Sequence, residues 1–185
     1  CDHPLLYSVV NPTTNKVYVF DQFDSGVQIL DGTTDDFIGK IPGAKGNQAT
    51  VNPTTDKLYV TNENYMQIID LSTNTVVDTM NFGTSLGPVA VNPATNKIYV
   101  GDFNSDGRGT TVYVIDGLAN KITQTVTVGT NPSSITANPI TNDIYVANQL
   151  DNSVSIIDGN NQPVSTINLN INSADLSGNT FDGMW

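Results

Sequence analysis

Asp102-Phe103-Asn104-Ser105-Asp106-Gly107 is the stretch whose residue types and spacing come nearest to a chemical site. Oxygen side chains at alternate positions, followed by glycine at a sharp bend, open a calcium loop. Asp102, Asn104 and Asp106 would be the metal ligands. The bidentate glutamate that closes such a loop is missing, because its place is taken by Tyr113. A bound calcium would therefore need oxygens from elsewhere, and the plainer reading is a turn rich in Asn, Asp and Gly. Further acids fall in comparable places between apolar runs: Asp21, Asp24, Glu63 and Asp151. With Asp102 and Asp106 they would line an acidic face for a cation, a glycan or a basic protein surface. The alternative is that they do no more than solvate and cap loops.

Nucleophilic and acid–base chemistry find little support. His3 is the sole histidine and Cys1 the sole cysteine, so neither a zinc set nor an internal disulfide is available. The chain has no phosphate loop. No catalytic residue is assigned.

These residues must be positioned by a repeat. Val10-Asn11-Pro12-Thr13-Thr14-Asn15-Lys16-Val17-Tyr18-Val19 returns almost unchanged at 51–60 and 91–100, and with modest divergence at 137–146. Its tyrosines, Tyr18, Tyr59, Tyr99 and Tyr145, are spaced by 41, 40 and 46 residues. Each copy is followed by an apolar run ending in aspartate: Asp31, Asp70, Asp116 and Asp158. A third run, such as 121–129, completes each period. Short β-branched runs punctuated by Asn-Pro, Asp-Gly and Gly are strand-and-turn grammar, and a period near 40 residues marks the blade of a β-propeller.

The expected fold is therefore all-β, a propeller of four-stranded antiparallel blades: 1–43, 44–83, 84–129 and 130–170. Strand A precedes Asn-Pro, strand B carries the tyrosine, strand C ends at the aspartate and strand D runs to the glycine. Glycines after Asp31, Asp116 and Asp158 are expected to supply positive φ in the C–D turn. The tyrosines are expected in the packing between blades and the aspartates in turn capping. The six loop acids named above belong to the B–C loops, of which 102–110 is the longest. At 171–185 a fifth blade begins, with Trp185 in the strand-B aromatic position, or else a closing strand completes a smaller ring. The expectation is that the chain belongs to a longer propeller. Cys1 is either a lipid-bearing residue or an arbitrary boundary.

Composition bounds the partners. The 185 residues carry 7 Lys+Arg against 18 Asp+Glu, a net charge of −11. That balance argues against nucleic acid and anionic lipid as partners, because both need clustered cations. No apolar run approaches the roughly 20 residues that a membrane-spanning helix needs. Among the 23 asparagines none lies in an N-x-Ser/Thr sequon once proline is excluded.

The repeat resembles the YVTN-type β-propeller repeats of bacterial and archaeal surface and secreted proteins. The naming tetrad stands at Tyr59-Val60-Thr61-Asn62, inside a pattern that covers residues 9–170. The resemblance implies an extracellular or cell-envelope location and a ring of about seven blades. The function expected is a non-enzymatic binding module that presents its B–C face to a protein or glycan. A piece of a larger propeller enzyme, such as a lyase or lactonase with its active site in other blades, is the first alternative. A surface-layer or filament subunit is the second. Blade faces left open at the two ends would also permit self-association.

Overall fold

The structure, a computed structural model, describes residues 5–21, 26–104, 106–160 and 162–169. Cys1, His3, Asp24 and the 171–185 segment lie outside the described residues. Sixteen strands form four antiparallel four-stranded sheets in chain order. The first blade is β1 (Leu5–Asn11), β2 (Lys16–Asp21), β3 (Gly26–Asp31) and β4 (Phe37–Pro42). The second is β5 (Gln48–Asn52), β6 (Lys57–Asn62), β7 (Tyr65–Asp70) and β8 (Thr75–Asn81). The third is β9 (Leu86–Asn92), β10 (Lys97–Asp102), β11 (Thr111–Asp116) and β12 (Lys121–Thr127). The fourth is β13 (Pro132–Ala137), β14 (Ile144–Asn148), β15 (Ser153–Ile157) and β16 (Pro163–Asn168). Among the described residues no helix is long and apolar enough to cross a membrane.

Strand order within each blade follows from its turns. The asparagine of Asn-Pro accepts the backbone N–H two residues on: Asn11 from Thr13 at 3.0 Å, Asn52 from Thr54 at 3.1 Å, Asn92 from Ala94 at 3.0 Å, Asn138 from Ile140 at 3.0 Å. Each of these turns ends on a left-handed residue, Asn15, Asp56, Asn96 or Asn142, with φ between 50° and 64°. Asn and Asp tolerate that conformation better than other side chains, which accounts for their recurrence there.

The C–D turns correct one expectation. Gly32, Gly117 and Gly159 are not left-handed; the positive φ falls on Asp35, Asn74 and Asn120 instead. Gly32 and Gly117 are small because they press on the A–B turn. A Cβ at Gly32 would stand 2.7 Å from the Asn15 carbonyl oxygen, and one at Gly117 2.5 Å from Asn96 Oδ1. Their N–H groups donate to backbone carbonyls of those turns, Gly32 to Asn15 and Gly117 to Asn96. Leu71 takes the corresponding place in the second blade, where its side chain joins the core.

The blades stack in series. The innermost strands β1, β5, β9 and β13 touch in that order, while β1 and β13 make no substantial contact, so the described blades form an open arc. Each interface has the same composition. The tyrosine face of one blade (Tyr18, Val27, Ile29) packs on the opposite face of the next (Leu58, Val60, Ile69). Tyr59, Met66 and Ile68 meet Ile98, Val100 and Ile115 in the same way. Tyr99, Val112 and Val114 meet Ile144, Val146 and Ile157. The two inner blades are thus covered on both faces, which explains why their B strands read as continuous apolar runs rather than alternating ones. Removing one of these side chains, as in Leu58→Ala, costs about 2–5 kcal/mol.

Candidate binding face

Because four antiparallel strands alternate direction, the B–C and D–A loops share one face and the A–B and C–D turns the other. On the first face, loops of the second, third and fourth blades are bonded to one another through their backbones. Leu86 N–H donates to the Glu63 carbonyl at 2.5 Å, and Phe103 N–H to that of Ser85 at 2.8 Å. Asn131 N–H donates to Gly109 at 2.8 Å, and Gln149 N–H to Asn131 at 2.9 Å. This network ties the loops of the second, third and fourth blades to one another.

The loop acids serve that network. Asp102 Oδ1 accepts the Thr84 hydroxyl at 2.8 Å, from the preceding D–A loop, and the Asn104 N–H at 2.8 Å. Asp106 Oδ1 accepts the Arg108 N–H at 3.0 Å. Asp151 Oδ2 accepts the Thr130 N–H at 2.6 Å, again across to a D–A loop. Glu63 occupies a two-residue turn between β6 and β7 with φ of 42° and an exposed side chain. Asp21 ends β2 on this face, and Asp24 lies outside the described residues. Asp102, Asp106, Asp151 and Glu63 therefore stand on one face, brought together by blade order.

The calcium pattern meets a different use of its oxygens. Asp102 and Asp106 each direct Oδ1 at the loop's own N–H groups, and Asn104 takes a left-handed φ of 56°. Tyr113 at the closing position lies in β11, its ring 5.1 Å from that of Phe82 at 67°. Burial and then the Asp102 carboxylate push its hydroxyl pKa up. Among the described residues no group of three or more His, Cys, Asp or Glu is placed to hold a metal ion.

Two residues of this face were not legible as site candidates. Phe103 is 40% exposed and Leu150 53% exposed, in B–C loops of adjacent blades. Gly87 and Gly107 adjoin Phe103; a Cβ at Gly87 would meet its Cβ at 3.5 Å, and one at Gly107 its ring at 3.7 Å, both ordinary contacts. An apolar side chain inside an otherwise Asn/Asp/Gly loop was the available signal.

The opposite face holds the repeated aspartates as turn caps. Asp31 Oδ1 accepts from Thr33 and Thr34, Asp70 from Ser72 and Thr73, Asp116 from Leu118 and Ala119, Asp158 from Asn160 and Gln162. These bonds hold the carboxyls of Asp31, Asp70 and Asp116 below their ordinary pKa, helped by Lys16, Lys57 and Lys97 across the B–C pair. The tyrosine column is interior. Tyr18, Tyr59 and Tyr99 are 0%, 0% and 1% exposed, and burial pushes each hydroxyl up to about 12. Tyr145 alone is half-buried.

No family model matches the chain, and no curated protein matches it. Solved structures do. Hydrazine synthase of Kuenenia stuttgartiensis is similar at a TM-score of 0.79 and 17% identity, over 91% of this chain and 50% of that one. A functionally unknown protein from Desulfotomaculum acetoxidans is similar at 0.77 and 17%, over 92% of this chain and 58% of that one. The chain thus spans between half and three-fifths of the length of these structures. At that identity the likeness concerns fold alone. Four sheets in series and these neighbours make the chain a β-propeller.

Proposed function

We propose that the chain is a non-enzymatic binding module of an extracellular or cell-envelope protein of the YVTN type, and that the B–C face engages a protein partner. The carrying observation is the bonded loop network, which sets exposed Phe103 and Leu150 on the same face as Glu63, Asp102, Asp106 and Asp151. A pre-organised surface loses little conformational entropy when it binds. A face that carries exposed apolar side chains and carboxylates suits a partner surface with apolar and basic groups. Calcium has no part in this reading. The envelope location draws on the Tyr59-Val60-Thr61-Asn62 repeat and on the low charge and Asn/Thr richness of the chain.

Site-specific photocrosslinking in the producing cells tests it. A benzoyl-phenylalanine at position 103 is expected to trap one discrete partner, and the same group at position 118, 86% exposed on the other face, is expected not to. Asp106→Lys should abolish the adduct. Equal labelling from both positions, or an adduct indifferent to Asp106→Lys, would overturn the reading. A glycan in place of a protein would emerge as binding on a glycan array with no protein adduct.

A further inference from the structure

Four Asp–Gly pairs lie among the described residues: Asp31–Gly32, Asp106–Gly107, Asp116–Gly117 and Asp158–Gly159. A fifth, at 182–183, lies outside them. The pair carries its own chemistry, because the glycine nitrogen can attack the aspartate Cγ unhindered by a side chain. A C–N bond forms, and the protonated carboxyl loses its hydroxyl as water with the amide proton. The product is a five-membered imide, which water opens at either carbonyl. Opening at Cγ restores aspartate. Opening at the main-chain carbonyl leaves isoaspartate, with the backbone routed through Cβ and Cγ. No co-reactant beyond water is needed, and the net change is an isomerisation.

Three of the pairs are held by the C–D turns. Asp31 Oδ1 accepts two N–H groups, and so do Asp116 Oδ1 and Asp158 Oδ1. Bonds to the ionised form keep the carboxyls of Asp31 and Asp116 below their ordinary pKa, and a carboxylate has no hydroxyl to lose. Two of the glycine nitrogens are tethered as well, Gly32 to the Asn15 carbonyl at 2.8 Å and Gly117 to that of Asn96 at 2.9 Å. These glycines also lack room to shift. An added Cβ would stand 2.7 Å from Asn15 at Gly32, 2.5 Å from Asn96 at Gly117 and 3.1 Å from Asn142 at Gly159.

Asp106–Gly107 is held far more loosely. Asp106 is exposed where the other three aspartates are half-buried. Its Oδ1 accepts one N–H among the described residues, from Arg108 at 3.0 Å. Gly107 N–H donates to the Asn104 carbonyl at 3.2 Å, at the long end of the hydrogen-bond range. A Cβ at Gly107 would meet nothing nearer than the Phe103 ring at 3.7 Å. We propose that Asp106–Gly107 is a site of spontaneous isoaspartate formation, and that the fold confines the reaction to this one of the four pairs. The added main-chain carbon falls in a loop that closes tightly on itself. Gly109 N–H donates to the Phe103 carbonyl at 3.2 Å, and a Cβ at Gly109 would collide with the Asp102 carbonyl oxygen. Isomerisation therefore displaces Phe103. Its effect on a partner rests on the reading of this face as a binding surface, whereas the chemistry does not.

Peptide mapping of the aged 185-residue chain tests this, with electron-transfer fragmentation to tell isoaspartate from aspartate. Samples are kept at neutral pH for several weeks, folded and in guanidinium chloride. In the unfolded chain the four pairs are expected to isomerise at comparable rates, since the reacting residues are the same. In the folded chain isoaspartate is expected at position 106 at least tenfold above positions 31, 116 and 158. Asp106→Glu should abolish it there, because glutamate would have to close a larger and slower-forming ring. The isoaspartyl form, separated by ion exchange, should show faster amide exchange across 102–109 than the fresh chain. Comparable isoaspartate at all four positions of the folded chain would overturn the proposal. So would its absence from position 106 alongside its formation in the unfolded sample. Unchanged amide exchange in the isoaspartyl form would overturn the displacement of Phe103.

Discussion

At the residue scale, the tyrosine and asparagine of each repeat have separate tasks that spacing made legible to different degrees. A tyrosine at every fortieth residue or so in a strand announces a packing position, and Tyr18, Tyr59 and Tyr99 fill it. The bonds from Asn11, Asn52 and Asn92 to the following blade were not legible. They join residues more than 40 positions apart, and the turn role of Asn-Pro already accounted for the asparagine. Burial of the tyrosines has a pH consequence. A phenol whose pKa rises from 10.0 to about 12 on folding keeps its proton in the native state after the unfolded chain has lost it. Native tyrosine binds more protons than unfolded tyrosine in that window, so stability is complete below pH 10 and falls between pH 10 and about 12. Tyrosinate absorbance and circular dichroism are expected to change together there. In Tyr59→Phe the alkaline midpoint should move up. Since the Tyr59 hydroxyl has no aligned hydrogen-bond partner among the described residues, stability at neutral pH should change by less than about 1 kcal/mol. Tyrosinate appearing at its ordinary pH with the sheet intact would contradict this.

At the scale of the element, strands were easier to read than loops. Strand limits followed from β-branched runs bounded by turn formers, whereas a loop's shape depends on which neighbouring loop it bonds. The Asp102–Gly107 segment shows the difference. Its spacing matches a metal loop, yet Thr84 and the loop's own N–H groups take the Oδ1 atoms. The C–D glycines were misread because their smallness answers to Asn15 and Asn96 in another turn. Glu63 offers a local test. A left-handed glutamate is strained by about 1 kcal/mol or more, and glycine carries no such strain. Glu63→Gly is expected to raise unfolding stability by about 0.5–1 kcal/mol in a denaturant titration, net of the greater freedom glycine has when unfolded. A fall in stability would show that the glutamate side chain contributes more than its strain. The C–D turns give an acid-side prediction of opposite sign to the tyrosines. Asp31, Asp70 and Asp116 have native pKa values below the ordinary 3.8, so the unfolded state takes up protons first. Their stabilisation is present above that value and is lost as pH falls through their native pKa values. Asp116→Ala should flatten the acid limb of a thermal stability profile while also lowering the plateau. An unchanged acid limb would remove these turns as its cause.

At the scale of the whole molecule, the repeat determines both what is closed and what is open. Identical junctions follow from near-identical repeats, so the four described blades and their order were legible before any coordinate. The lesser burial of Tyr145 and Val17 emerges only when they are set against their counterparts in the inner blades of the described arc. The binding face likewise belongs to the assembly of blades, since its acids and its exposed Phe103 and Leu150 come from separate repeats. Amide hydrogen exchange read by mass spectrometry, at concentrations where the chain sediments as a monomer, tests the serial open arc most directly. Strands β6, β7, β10 and β11 should exchange slowest, because blades cover both their faces, with β2, β3, β14 and β15 faster and the outer strands β4, β8, β12 and β16 fastest. Equal protection of β2, β6, β10 and β14 in the monomer would contradict the account, since it would mean that the first and fourth blades are covered as fully as the inner two.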